Sequence, residues 1–263
     1  MEKFEFKRST KKYKYFNGII LKEPSEKEFN KYIDIWNKKY NKELAGDFSH
    51  EKILDYVFTK NNSSNKNILE MYEKCVLLDK LYSTNVKHMD SLVKHLASIE
   101  NFNEMLSSGN PELVNVMKMV EKDDGTIIKY MSFASKYCRR YNPKDFPVFD
   151  TIVKDIFSHY LYTLKFYRRR DKIDLTDYVS FKNVADEFLN AYPFVKDYVQ
   201  LDHYLWTMGK EKLQAISYIK KIRKSKDDLK QIQNIAKIEN FSGDLLNLEN
   251  FIVNKYDLWN ICA

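Results

Sequence analysis

Apolar residues recur every three to four positions along most of the chain, and only short stretches break that rhythm. The clearest stripe is Phe29, Tyr32, Ile33, Trp36 and Tyr40, which predicts a helix over residues 25–42. Ser25 and Glu28 at its start have the spacing of a capping box, each able to satisfy an amide of the first turn. Met71, Tyr72, Cys75, Leu78 and Leu81 predict a second helix over residues 68–82. The Ser83-Thr84-Asn85 break leads into another, through Ile99. Asn110-Pro111 supplies a cap and a first-turn proline for a helix to about Val120. Further helices are predicted over residues 132–141, 151–164, 175–191 and 196–208, the last stopped by Gly209. Two or three more fill the tail, ending with residues 245–259. Period-two patterning appears only around Asn17-Gly18, a dipeptide suited to the positive φ angles of a tight hairpin. The chain is mainly α with a small N-terminal β-hairpin.

Composition supports that reading. Hydrophobic residues make up 44%, enough for a core, and six glycines and five prolines are too few for a turn-rich β protein. The net charge of +7 and pI near 9.0 suit a polyanionic partner, although lysines also populate plain solvated faces. Lys11 to Tyr15 interleaves basic and aromatic residues, as a nucleic-acid arm or a protected edge strand would. The basic loop Arg168-Arg169-Arg170 and a cluster of Lys220, Lys221, Arg223, Lys224 and Lys226 add to the positive surface.

Cys75, Cys138 and Cys262 are odd in number and far apart, so neither a disulfide framework nor a metal-ligand set is expected, and a cytoplasmic location is. No apolar run reaches the roughly 18 residues of a membrane span, and the N-terminus has no signal-peptide core. Phosphate-loop, dinucleotide, zinc-protease and serine-hydrolase motifs are missing, and no cofactor or metal is implied. His50, His88, His95 and His159 have no partner at a suggestive spacing, and His203 reads as a packed histidine.

One segment concentrates chemistry. SFASKYCRRYNPKDFPVFD runs from Ser132 to Asp150: a helix with small residues at its start, a stop at Asn142-Pro143, an apolar extended link, and an aspartate before Thr151-Ile152-Val153. Asp150 is a natural N-cap for the next helix, and the helix dipole would keep its carboxylate ionised.

This arrangement resembles the helix–hairpin–helix DNA glycosylases. In that superfamily a catalytic aspartate follows a lysine or serine position by about 18 residues, the separation of Ser132 and Asp150 here (150 − 132 = 18). FPVFD is similar to the F-P-x-x-D run of the mismatch-specific adenine glycosylases, whose earlier position is serine. LLDKLYSTNV, SFASKYC and LDHYLWTMGK, in that order, resemble a bacterial group of 8-oxoguanine DNA glycosylase-like proteins, over residues 77–210.

The resemblance implies a helix–hairpin–helix DNA glycosylase-like fold, with residues 66–210 as the core. Residues 1–65 hold the β-hairpin and first helix, and residues 211–263 a C-terminal helical extension. It further implies a monofunctional enzyme that hydrolyses the N-glycosidic bond of a damaged or modified base, of the 8-oxoguanine type or one found in phage DNA. Asp150 is the catalytic residue so implied. Ser132, Ser135 and Lys136 are the catalytic or pocket candidates, and Lys129, Arg139 and Arg140 the phosphate contacts. Double-stranded DNA carrying a modified base is the expected partner, with no membrane, and the C-terminal helices are open to a protein partner.

Three departures stand out. The glycosylase hairpin L-P-G-[VI]-G is replaced by DDGTIIKYM with Gly125 alone. No lysine occupies the position of the strand-nicking enzymes, with Lys129 three residues before Ser132 and Lys136 four after it. The iron–sulfur cysteines are missing. The alternative is a non-catalytic nucleic-acid-binding or defence-associated interaction module, with Asp150 acting only as a cap.

Overall fold

The computed structural model describes residues 21–41, 49–60, 67–164, 166–167 and 173–222. They are mainly helical, with one two-stranded antiparallel sheet. In order they are α1 (Glu26–Ile35), a π-helical turn (Trp36–Tyr40), α2 (His50–Lys60), α3 (Ile68–Tyr82), α4 (Met89–Ser98), α5 (Phe102–Ser107) and α6 (Glu112–Met117). There follow β1 (Met119–Glu121), β2 (Ile127–Lys129), α7 (Met131–Tyr141), α8 (Thr151–Thr163), α9 (Tyr178–Ala191) and α10 (Tyr198–Ile222). The chain divides into two compact units, Ser25–Trp206 and the pairing of Met1–Pro24 with Thr207–Ala263. The second is described only at residues 21–24 and 207–222. No described helix is long and apolar enough to cross a membrane.

The predicted hairpin at Asn17-Gly18 with its basic arm, the Arg168-Arg169-Arg170 triplet, Arg223, Lys224, Lys226 and the helix over residues 245–259 lie outside the described residues.

In the larger unit α7 forms the centre. Phe133, Ala134, Tyr137 and Cys138 are buried, and the helix packs against α2, α3, α5 and α6. Tyr137 meets Phe58 and Phe102 edge-on, with ring centroids 5.3 and 6.2 Å apart. A second aromatic group joins α8 to α9, where Phe157 lies 5.5 Å from Phe181 and 5.7 Å from Phe188. Such tilted ring pairs add modestly to the stabilisation from area burial alone.

Caps set the helix ends much as the sequence implies. The side chains of Ser25, Asn67, Asp150 and Asp177 accept amides of α1, α3, α8 and α9. The start of α9 is further fastened by Asn115, whose Oδ1 accepts the Tyr178 amide at 2.9 Å while its Nδ2 donates to Asp177 at 2.7 Å.

Two expectations are corrected. The helix from Asn110-Pro111 does not reach Val120: it ends at Met117, and Met119–Glu121 pairs with Ile127–Lys129. Val120 is fully buried from the strand, and the Asp123-Asp124-Gly125 turn closes it, with Gly125 at φ +77° and the Lys122 amide bonded to the Thr126 carbonyl. Helix α10 is not stopped by Gly209 but continues to Ile222. An interior glycine costs a helix only about 1 kcal/mol, and the strong helix formers that follow, Lys210 to Ala215, outweigh it.

Candidate functional site

The sequence of α7 gives it two faces. Ala134, Tyr137 and Cys138 turn to the core, and Ser132, Lys136 and Arg139, one turn apart, share another side. The Lys136 ammonium donates to Ser132 Oγ at 3.1 Å and lies 5.4 Å from the centre of the Tyr82 ring. It closes no ion pair among the described residues.

Ser135, one of the catalytic or pocket candidates, is fully buried. Its hydroxyl accepts the Phe149 amide at 2.9 Å and donates to the Ser132 carbonyl at 3.1 Å. From the other side, the Tyr178 hydroxyl donates to the Pro147 carbonyl at 2.6 Å. Phe146, Val148 and Phe149 are buried, so the link is held between α7 and α9. Asp150 emerges from it half-buried and extended, with Oδ1 accepting the Ile152 amide at 2.8 Å. The cap is real, and the carboxylate also acts on Lys136 across the gap between α7 and the start of α8.

Helix α10 supplies groups that the local pattern did not mark. Asp202 and His203 stand beside the buried Leu201, Tyr204 and Leu205, on the half-buried flank of the helix. His203 stacks on Trp36 of the π-helical turn, with centroids 4.0 Å apart and planes 15° from parallel. Trp206 meets Trp36 and Tyr40 edge-on at 5.7 and 5.0 Å. Single π-helical turns are frequent at functional sites.

Burial governs the charges. Asp202 is half-buried, and desolvation pushes its carboxyl up to about 6, against the pull of Arg139 and Lys136. Burial lowers Lys136, and Asp150 and Asp202 oppose that shift. Burial, with Arg139 adding, pushes His203 down to about 4, so its ring is neutral near pH 7. Arg139 is 9% exposed, and its Nε has no hydrogen-bond partner among the described residues.

The other phosphate candidates fare differently. Arg140 donates to Glu51 at 2.7 Å, to Asp55 at 2.9 Å and to the Tyr82 hydroxyl, and its side chain is 5% exposed. It ties α7 to α2, which engages both terminal nitrogens expected to meet a phosphate, while its buried Nε, like that of Arg139, has no hydrogen-bond partner among the described residues. Lys129 is exposed on β2 and acts on Lys118 and Asp174 instead of the cluster. Among the described residues no three His, Cys, Asp or Glu side chains are placed to hold a metal ion.

Asp202 should cost the fold stability. Its folded form holds a proton that the unfolded chain has released, so the cost grows as pH rises from about 4 to about 6 and is complete above that range. Asp202→Asn is therefore expected to stabilise the protein by about 2–3 kcal/mol at pH 8 and to leave stability at pH 3.5 nearly unchanged. Urea unfolding at the two pH values measures the difference.

The family described as HI_0787_N, N-terminal domain, matches residues 28–145, a stretch that contains Ser132, Lys136 and Arg139 and ends before Asp150. A Haemophilus influenzae relative that bears the name "Uncharacterized protein" is 36% identical over 132 residues, which is 50% of this chain and 62% of the relative. The chain thus spans less than two thirds of that relative's length. No solved structure matches.

Proposed function

We propose that the chain is a DNA glycosylase of the helix–hairpin–helix type that excises a damaged or modified base, with Asp150 and Lys136 acting together. One contrast carries the reading. Arg140 of α7 is closed by Glu51 and Asp55. Lys136, one turn earlier on the same helix, is desolvated and lies within the fields of two carboxylates without an ion pair to either. That is the environment of an amine kept for chemistry.

In the proposed reaction the neutral Lys136 amine attacks C1′ of the target nucleotide. The glycosidic bond breaks with its electron pair passing to the base, and the Asp150 carboxylate stabilises the cationic sugar as the charge develops. The departing base takes up a proton, and the C1′–O4′ bond then breaks as the nitrogen's surplus proton passes to O4′, which gives an open-chain iminium. Loss of a C2′ proton from that iminium then expels the 3′-phosphate and nicks the strand. This replaces the expected hydrolysis by water with lysine chemistry. Ser132, which accepts from Lys136, orients the amine, and Arg139 adds positive charge beside it. Taking the nucleotide out of the stack requires an aromatic surface, which Trp36, His203 and Trp206 supply.

Single-turnover assays on duplexes carrying oxidised, deaminated, alkylated and phage-type bases, with borohydride present, test this. Wild type is expected to form a trapped covalent complex and to nick without alkali on at least one duplex, and Lys136→Gln to do neither. Alkali-labile sites formed equally by both proteins would restore hydrolysis by water. A second reading, a binding module on the same scaffold, draws on the β-hairpin at residues 119–129, where a glycosylase has its Gly-rich phosphate grip. Binding without base release on every duplex would favour it.

A further inference from the structure

Ser132 and Lys136 are four residues apart on α7, a spacing at which side chains of one helix meet. The Lys136 Nζ lies 3.1 Å from Ser132 Oγ, within the reach required of a nucleophile and its base. Nζ stands over the Tyr82 ring, 5.4 Å from its centre. Burial lowers the pKa of this amine, with Arg139 adding to the shift and Asp150 and Asp202 opposing it. Ser132 itself is half-buried between the buried Met131 and Phe133. It stands in the first turn of a helix that starts without a side-chain cap. The amides of Ser132 and Phe133 make no hydrogen bond among the described residues, as first-turn amides of an uncapped helix do not. Ser135, one turn along, differs: backbone groups engage its hydroxyl as both donor and acceptor.

We propose that Ser132 and Lys136 form a nucleophile–base pair that hydrolyses short acyl esters, an activity that needs no nucleic acid and does not rest on the glycosylase reading. With the amine neutral, the hydrogen bond reverses and the Ser132 hydroxyl donates to Nζ. Oγ attacks the ester carbonyl carbon as its proton passes to Lys136. The carbonyl electron pair moves to oxygen, where the Ser132 and Phe133 amides and the positive end of the helix stabilise the charge. As the carbonyl re-forms, the C–O bond to the alcohol breaks and Lys136 returns the proton to the leaving oxygen. Water then attacks the acyl-serine and gives a proton to Lys136. The bond from the acyl carbon to Oγ breaks, and Lys136 hands that proton back to Ser132. Ester and water become alcohol and acid, and both residues end as they began. Short acyl chains suit the place, because the buried Met131 and Phe133 flank the serine.

The test uses the full chain without DNA. A fluorophosphonate probe, which an activated serine attacks at phosphorus with loss of fluoride, is followed by peptide mass spectrometry. Label is expected on Ser132 and not on Ser107, an exposed serine of α5 whose hydroxyl donates to the Glu104 carbonyl. Turnover of p-nitrophenyl acetate is expected to vanish in Ser132→Ala. It should fall about 10²–10⁴-fold in Lys136→Arg, whose guanidinium keeps the charge and cannot take up a proton. Thermal unfolding of both variants separates loss of chemistry from loss of fold. Wild type alone can overturn the proposal, by leaving Ser132 unlabelled or by gaining one acetyl group on Lys136 without turnover. Ser132→Ala that turns over the ester as wild type does overturns it as well. None of these results touches the glycosylase reading, which stands or falls on base release and trapping.

Discussion

Asp150→Asn is expected to abolish base release and leave the fold intact. Asparagine is as good an N-cap as aspartate, and its side-chain oxygen can keep the Ile152 amide that Asp150 now accepts at 2.8 Å. What disappears is the negative charge beside the reacting sugar. Losing one preorganised electrostatic partner of a transition state lowers rates by about 10²–10³-fold. Single-turnover base release on the duplex that wild type cuts, read beside thermal unfolding, measures both consequences. Asp150→Ala gives the complementary result, with equal loss of activity and a further loss of about 1 kcal/mol of stability from the missing cap. An Asn variant as active as wild type would reduce Asp150 to a cap.

The largest stability effect is expected at Gly109. Its φ of +68° lies in the left-handed region, and an added Cβ would stand 2.4 Å from Cβ and 2.5 Å from Cγ of Asp145. Gly109→Ala therefore meets two penalties at once: roughly 1–2 kcal/mol for a side chain in that backbone conformation, and roughly 1–3 kcal/mol for the overlap. The overlap cannot relax freely, because the Asp145 carboxylate accepts from Asn142 Nδ2 at 2.7 Å and that amide also reaches the Leu106 carbonyl. Urea unfolding of Gly109→Ala, Asp145→Ala and the double variant separates the penalties. The double variant should recover the overlap share and keep the backbone share. Additive losses in the double variant would rule out the clash.

Much of the helical frame was legible in the chain. The predicted span of residues 68–82 matches α3, and the predicted Ser25 and Asp150 caps are both made. Local pattern failed where the deciding contacts were remote. Residues 119–129 form strands because Val120 reaches the core and pairs with Ile128, which no window around Asn110-Pro111 reveals. The short α5, six residues long, carries too few periodic positions to stand out.

The candidate site shows the same division. Asp150 and Lys136 lie in one quotable segment, and its resemblance to the glycosylases nominated both. Asp202 entered only through folding, which brings residues 136, 150 and 202 together from three helices. Arg139 and Arg140 look alike in sequence, yet only Arg140 is clamped by carboxylates of α2. The signal within reach was LDHYLW: an aspartate and a histidine set into an otherwise apolar stretch of helix, where a purely packing role would favour apolar side chains.

The doubly fastened link from Phe146 to Phe149 has a consequence for how the substrate range of such a protein can change. With the Pro147 carbonyl held by Tyr178 and the Phe149 amide by Ser135, the carboxylate cannot be retuned by a loop that drifts. Its address is written into two helices at once. Under the proposed function, adaptation to a new target then falls to residues away from those anchors, such as Trp36, Tyr40 and Trp206. In a lineage under changing chemical attack, the aromatic wall is where variation should accumulate, and the anchor hydroxyls of Ser135 and Tyr178 are where it should stop.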